Sequence, residues 1–592
     1  ADALLERLAE ATGHREERDA VLEGLLDLAD ETMADAIRRV SIREGYDPAL
    51  HGLVVFGGAG PQHGFAVARR LGIERVVVPR NAGLLSALGL AGARREEVIV
   101  EQVLEILGDD LGEVESRFDA ASRRAAARLI EQGVAAGRVL CLRRQAGIRF
   151  VGQEATLTVD VPRGADPRAL FVERYRSVFG HLPGQREVEW VSLRVVMAEQ
   201  ETLAEAFAAP VAAGRAAARP AGHLRCRLDG TWRSVPVFER RRLAAGTSIE
   251  GPALVAEAHS MTVLPDGWSL SVSEAGHLVG RWRAAAAGAA VTRPRAVEIE
   301  LFSRRLGRIA EEMGEALRRS AVSTNIRQRL DYSCALLDSG GRLLVNAPHV
   351  PVHLGSLGLC ARAVMEVLAL QPGDTVLTNH PAFGGSHLPD LTLLSPVFDH
   401  GGALRALVAS RAHHAEIGGR RPGSMPPDSR HLAEEGVVFP PLLLMRHGRA
   451  RWQAVRERLT AGPWPTRALE DNLADLRAAL AANLAGVRAT ERLIAERGAQ
   501  AFDDLCRRLR QRVEQRVRAR LAERAPFAVH TEEILDDGSR LPIAIESDGD
   551  RLRVDFRGAG AVDPGNLNAT PAIVNSVVLY VLRVMLGEDL PL

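Results

Sequence analysis

LVVFGGAGPQHGFAVARRLGIERVVVP, residues 53–79, changes its hydrophobic period more than once within a single short stretch. It reads as strand, glycine turn, helix and second strand, the pattern of an α/β unit in which ligands sit beyond the carboxyl end of the first strand. Pro61 suits the first turn of the helix, because its missing N–H has no partner there in any case. The turn GGAGPQHG (57–64) offers backbone N–H groups and the positive end of a helix dipole to a phosphate or a nucleotide edge. Gly57, Gly58, Gly60 and His63 are its candidate contacts. It is not the dinucleotide fingerprint: His63 stands where a third glycine belongs, and no acidic residue follows at the expected distance. Tight turns also use glycine for their own geometry.

Working outward, residues 17–45 carry Leu22, Leu25, Leu26, Met33, Ile37 and Val40 at helical spacing, which predicts one apolar helix face. From about 101 to 137 the chain reads as helical and rich in Ala, Arg and Glu, and ATLTVDV and VEWVSLRVV then alternate like strands of a mixed domain. A β-rich piece containing GPALVAEAHSMTVLPDGWSLSV runs to about 283. The stretch AAAAGAAVTRP (284–294) has no amphipathic face and ends in proline, so it reads as a linker. After it comes an amphipathic helix with Leu301, Leu306, Ile309, Met313 and Leu317 on one side, then the strands CALLD and RLLVN. A histidine-rich region and two long helical runs within 465–523 follow. The first run steps through Leu473, Leu476, Leu480, Leu484 and Val487, a core face. The expected fold class is α/β and α+β multidomain, divided into 1–100, 101–284, a linker at 285–295, and 296–592.

Composition excludes several classes. The 75 acidic and 75 basic residues cancel, so no overall charge draws the chain to nucleic acid or an anionic membrane. All 75 basic residues are arginine, so Schiff-base, pyridoxal-phosphate and Walker-type chemistry, each needing a lysine amine, lies outside its reach. Five cysteines without a CxxC pair argue against a disulfide framework or a zinc ribbon and fit a reducing cytoplasm. No apolar run is long enough to predict a membrane span, and no signal peptide is recognised.

Nine of the 17 histidines fall between 349 and 447, against roughly three for an even spread. HPAFGGSHLPD (380–390) contains the step His387-Leu-Pro-Asp390, and RAHHAEIGG supplies His413, His414 and Glu416 some two dozen residues later. Imidazole nitrogen with carboxylate oxygen suits a divalent cation of the Mg, Mn, Fe or Zn type acting as Lewis acid and water activator. Residues i and i+3 of a straight strand face opposite ways, so His387 and Asp390 converge only if the chain turns at Leu388-Pro389. Gly384 and Gly385 let the backbone approach an ion or substrate closely. The candidate ligands are His387, Asp390, His413 and His414, the last either a ligand or a partner of one. The alternative is that these are ordinary histidines capping loops. NAPHVPVHLGS (346–356) places His349 and His353 four apart in an extended reading, on one wall, as candidates for substrate contact or proton transfer.

Taken together these strings resemble the ATP-dependent 5-oxoprolinase and hydantoinase family over nearly the whole chain. MADAIRRVSIREGYDP, LVVFGGAGPQHG and VVVPRNAGLLSALG are similar to the end of its A-type ATPase half, which has an actin-like, sugar-kinase-like fold. GIRFVGQEATLTV and GPALVAEAHSMTVLPDGW resemble the domain closing the A part. TNHPAFGGSHLPDLTLLSPVF, RAHHAEIGGRRPGSMPPDS and EEGVVFPP resemble the B part. Joining A and B in one chain favours 5-oxoprolinase over two-subunit relatives.

The resemblance implies ATP-driven cleavage of the cyclic amide 5-oxo-L-proline to L-glutamate. It implies ATP and a divalent metal as cofactors, and a homo-oligomer in the complete parent. It maps a family metal site onto His387, Asp390 and His413, and turns Gly57, Gly58 and Gly60 toward adenosine. It also implies that the A part's N-terminal phosphate loop and the later B-part segments lie outside these residues, so the chain is expected to be inactive alone. Alternatives are a hydantoinase or ketone-carboxylase relative, or a non-catalytic assembly module.

Overall fold

The glycine-turn stretch forms strand Leu53–Val54, helix Gly60–Leu71 and strand Arg75–Val78. The two strands are parallel, with Leu53 opposite Val76. Leu278–Trp282 then pairs antiparallel to the second strand, Val78 opposite Leu278. With Trp268–Val272 and Ser248–Glu250 these strands make one five-stranded sheet. The expected break at residue 100 therefore does not separate this sheet, which joins residues from both sides of it. Phe65 packs edge-on against Trp268 with ring centroids 5.0 Å apart, at the centre of this core.

The computed structural model describes residues 6, 17–43, 46–153, 156–179, 182–183, 186–200, 218–283, 295–347, 350–524 and 526–587. The chain is a multidomain α/β structure that divides into two units. One comprises Ala1–Arg149, Thr156–Val178 and Glu187–Leu301; the other comprises Phe150–Ala155, Phe179–Arg186 and Phe302–Leu592. The expected linker falls on residues outside those described, and Arg295 already begins the helix Arg295–Ser320.

In the first unit, residues 96–106 form a strand, which takes the first residues of the helix expected from about 101. EEVIVEQVLEI puts β-branched residues in succession, and the segment pairs with Val188–Glu199 in a four-stranded sheet. The helix of the expected run is Leu111–Glu131, capped by Asp110 through the N–H groups of Gly112 and Glu113. The early helix is present as Arg18–Arg43; Met33 and Ile37 of the expected face pack, partly buried, against the core, but its leucines do not. Leu22, Leu25, Leu26 and Val40 are exposed, whereas Asp30 and Glu31 are buried. Arg70 turns the helix this way, with its guanidinium on Asp27, 3.3 Å from Asp30 and 3.4 Å from Glu31.

The second unit is built on a seven-stranded sheet. Its spatial order is Leu343–Asn346, Tyr332–Asp338, Leu404–His413, Asp390–Phe398, Thr375–Thr378, Leu442–Arg446 and Arg449–Ala450, every neighbour antiparallel. Helix Ser356–Val367 covers one face, where Leu357, Cys360, Ala361 and Val364 meet Leu394, Leu407 and Ala409. Helix Leu469–Arg497 covers the other, with Asn483 donating to Ser395 at 3.1 Å. A sheet covered on both faces explains why DLTLLSPVF is buried almost throughout rather than at alternate positions. Leu301, Leu306, Ile309, Met313 and Leu317 of the helix Arg295–Ser320 are all buried, as their spacing predicts. A three-stranded sheet (Phe527–Ile534, Arg540–Ser547, Leu552–Asp555) and helix Pro571–Leu586 complete the unit.

Candidate functional site

Side-chain parity assembles a polar cluster at one end of the seven-stranded sheet. Asp390 opens one strand and pairs in register with His413, which closes its neighbour. Thr392 and Arg411 stand opposite each other one step further in, on the same face, because side chains repeat every second residue. On the next strand Ser333 lies opposite Arg411 and shares that face.

His387 reaches the cluster because the chain turns at Leu388-Pro389, the Asp390 N–H donating to the His387 carbonyl at 3.1 Å. The two glycines before it have steric reasons. Gly384 has φ of 76°, and a Cβ there would lie 2.6 Å from the Cys360 nitrogen. A Cβ on Gly385 would lie 2.3 Å from the Asn379 carbonyl oxygen. The loop is thus pressed onto the start of helix Ser356–Val367. Arg411, fully buried, ties it down: it donates to the Gly384 carbonyl at 2.8 Å, Ser386 at 3.3 Å, Ser356 at 2.6 Å and Thr392 at 2.8 Å.

Three donor atoms converge as a result. His387 Nε2 and His413 Nδ1 are 2.8 Å apart, and Asp390 Oδ1 is 3.4 Å from each. Donors about 2.1 Å from one cation are about 3.0 Å apart at octahedral angles and about 3.4 Å at tetrahedral ones, so the spacings fit a shared ion. Asp390 is 0% exposed, yet its Oδ1 accepts no well-formed hydrogen bond. A buried carboxylate oxygen left that way costs about 1–3 kcal/mol or more unless a cation faces it. Burial would raise the Asp390 carboxyl, but His353 first, then His413 and His387, hold it well below the usual carboxylate range. Burial pushes the His387 imidazole down, which favours the neutral form a metal ligand needs.

The other candidates fall differently. His414 is buried with its ring turned to Asn472, Nδ1 to Oδ1 at 2.6 Å, away from the convergent trio. His414 follows the end of that strand, where its N–H donates to the Pro389 carbonyl at 2.9 Å and its ring leaves the face that His413 occupies. His353 is not on an extended wall but ends a 3₁₀ turn, Pro351–His353. It is 0% exposed and touches Ser333 and Asp390, so it has no open side for substrate. His349 lies outside the described residues. Glu416 is drawn off to the start of helix Leu469–Arg497. Asp331, not anticipated from the sequence, stands 3.7 Å from His413 Nδ1 and is partly exposed. Arg411 and Ser333 were also missed. Arg411 was within reach of reasoning, two residues from His413 on an alternating strand; Asp331 and Ser333 had no such signal.

In the first unit, Gly57 donates its N–H to the Ala82 carbonyl at 2.8 Å. Added Cβ atoms on Gly57 and Gly60 would meet nothing within 4 Å; the φ of 84° at Gly57 itself calls for glycine, whereas Gly60 has no packing reason. Helix Gly60–Leu71 has no side-chain N-cap; in its first turn Pro61 has no N–H, and the Gln62 N–H donates to the Ala59 carbonyl at 2.9 Å. His63 is turned away, its Nδ1 2.7 Å from Asp30 Oδ1 on the preceding helix. Close by, Arg80, Asn81, Gly83, Arg240, Glu257 and His259 line a cavity of about 590 Å³.

Residues 295–592 match the family model described as hydantoinase B/oxoprolinase. The chain belongs to the hydantoinase B/oxoprolinase family. Residues 1–98 match a second model, described as hydantoinase/oxoprolinase. Among relatives of this family member, 5-oxoprolinase 1 of Arabidopsis thaliana is 32% identical over 96% of the chain and 47% of its own length. The 5-oxoprolinase of Saccharomyces cerevisiae is 34% identical over 97% of the chain and 47% of its own length. The chain thus spans about half the length of the curated relatives it matches. A solved structure, the ATP-dependent caprolactamase from Pseudomonas jessenii, is similar at a TM-score of 0.46 and 25% identity, covering 50% of this chain and 51% of that one.

Proposed function

We propose that this chain serves the ATP-dependent opening of 5-oxo-L-proline to L-glutamate, with His387, Asp390 and His413 holding a divalent cation. The observation that carries the reading is the buried, unpartnered Asp390 oxygen facing two imidazole nitrogens. The substrate class is supported by relatives named 5-oxoprolinase that align with almost all of the chain. Because those relatives are about twice as long, the activity proposed is that of the whole protein.

A lactam resists water because its amide is resonance-stabilised. Phosphorylation of the lactam oxygen by ATP turns that oxygen into a leaving group and makes the carbon electrophilic. A cation held by the trio supplies Lewis acidity toward a carbonyl or phosphoryl oxygen. The residues' own part is to present two nitrogens and one carboxylate oxygen, with Arg411 keeping the His387 loop in place. We assign the nucleotide to the turn at Gly57, Gly58 and Gly60, on the end of an actin-like A-type ATPase domain. The open space over two of these glycines supports that assignment. His63 serves there only by orienting the helix through Asp30. We place the whole protein in the cytoplasm as a homo-oligomer; among the described residues no helix is long and apolar enough to cross a membrane.

The test is formation of ADP and L-glutamate in equal amounts from ATP and 5-oxo-L-proline by the whole protein. Asp390→Asn is expected to lower turnover at least 100-fold. ADP release indifferent to 5-oxoproline, or dependent instead on a hydantoin or a ketone, would refute the substrate assignment.

A further inference from the structure

The three ligands use only one oxygen of Asp390. Its other oxygen, Oδ2, lies 3.3 Å from His353 Nε2, and His353 Nδ1 lies 3.0 Å from the Ser333 hydroxyl. His353 and Asp390 are both 0% exposed, and Ser333 is buried with them. A neutral imidazole has one N–H and one bare nitrogen. The Ser333 hydroxyl is able to donate to Nδ1, at a shorter distance than its 3.4 Å contact with the Val350 carbonyl, which leaves the ring proton on Nε2 for Asp390. The turn carrying His353 is itself held, since Ser356 Oγ donates to the His353 carbonyl at 2.8 Å. The Gly355 N–H donates to Ser576 on helix Pro571–Leu586 at 3.0 Å.

We propose that His353, oriented by Ser333, is a positioning residue that pins Asp390 Oδ2 and so presents a single carboxylate oxygen to the cation. The inference rests on the cation reading of the trio and specifies what that reading leaves open, the denticity of the carboxylate and hence the class of ion. A carboxylate held by one edge cannot swing to chelate with both oxygens, a mode that large oxygen-seeking ions such as Ca²⁺ use readily. The site therefore favours a small ion of the Zn, Co, Mn or Fe type bound through two imidazoles and one oxygen. His353 touches neither substrate nor ion.

The experiment titrates Co²⁺ and Mn²⁺ into the purified chain and its His353→Ala, His353→Gln and Ser333→Ala variants. Affinity is read by chelator competition and coordination by the Co²⁺ visible spectrum, with metal-free melting temperatures as the folding control. The unmutated chain is expected to bind one Co²⁺. His353→Ala is expected to bind it about 10–100-fold more weakly with an altered spectrum, the usual scale for losing a group that orients a ligand. His353→Gln, whose amide can donate in place of Nε2–H, is expected to restore most of the affinity. Should His353→Ala fail to fold, Ser333→Ala is expected to show a weaker loss with a spectral change. Unchanged affinity and spectrum in whichever of these two variants folds, or a His353→Gln variant no better than His353→Ala, overturns the positioning role. Absence of Co²⁺ and Mn²⁺ binding by the folded, unmutated chain overturns the cation reading itself, and the inference with it.

Discussion

Arg411 illustrates how one side chain fixes a site it does not enter. Its guanidinium is buried and satisfied by hydroxyls and a carbonyl, with none of its described hydrogen bonds going to a carboxylate. Replacing it by methionine keeps an unbranched apolar stem and removes every donor, leaving the Gly384 carbonyl and three hydroxyls to find new partners in a dry environment. Arg411→Met is expected to destabilise the unit by about 3 kcal/mol, measured by urea unfolding, and to lower cation affinity by loosening His387. A variant that loses neither stability nor affinity would contradict the tether. At this scale the sequence was informative where chemistry follows spacing: the HxxD step, the turn it requires and the later histidine were all readable. It was silent on which of two adjacent histidines faces the trio, because that depends on the register of Asp390–Phe398 against Leu404–His413.

Two elements depend on single contacts made at their ends. Helix Leu469–Arg497 has no cap from its own N-cap residue, and Glu416 supplies one, accepting from the N–H groups of Arg467 at 2.9 Å and Ala468 at 3.1 Å. Burial would raise the Glu416 carboxyl, but hydrogen bonds from Thr466, Gly418, Ala468 and Arg467 outweigh it and leave it lowered. A lowered folded-state value means the carboxylate's stabilisation is complete above the unfolded value, about 4.3, and fades as pH falls through the folded one. Glu416→Gln is expected to lose about 1–2 kcal/mol at pH 7, with the difference narrowing below about pH 4. A pH-independent difference in parallel urea titrations would contradict the charge-based cap.

The second element is helix Pro571–Leu586, whose backbone at Asn575 and Ser576 would lie 2.8 Å from a Cβ on residue 355. Gly355→Ala is expected to cost about 1–3 kcal/mol and to speed hydrogen exchange in that helix; unaltered exchange would rule out the close approach. Elements were the least evenly legible level. Helix Arg295–Ser320 declared its buried side by spacing, whereas helix Arg18–Arg43 buries acids against Arg70, a contact no periodicity reveals. The strand at 96–106 was hidden because its Glu and Gln residues look helical until Val188–Glu199 pairs with it.

For the molecule as a whole, the two units make removal of an ion a local event. An ion bound at about 100 times its dissociation constant stabilises its host by about 2.7 kcal/mol. At roughly 1.6 °C per kcal/mol for a unit of about 300 residues, chelation is expected to lower one calorimetric transition by about 4 °C and leave the other unmoved. Equal shifts in both transitions, or in neither, would count against an ion confined to the trio. The whole-chain architecture was partly legible. The linker expected from composition near residue 290 lies outside the described residues, and the sheet uniting residues 53–78 with 248–282 could not be foreseen, because strand neighbours distant in sequence leave no local trace. That helix Pro571–Leu586 braces the turn bearing His353 has a consequence for biosynthesis. The trio is complete once residue 413 has emerged from the ribosome, but the brace begins only at residue 571. At the usual pace of translation the three side chains wait about 10–30 s for it, so if they hold the proposed cation, a nascent chain is expected to acquire it late, after the C-terminal helix has docked.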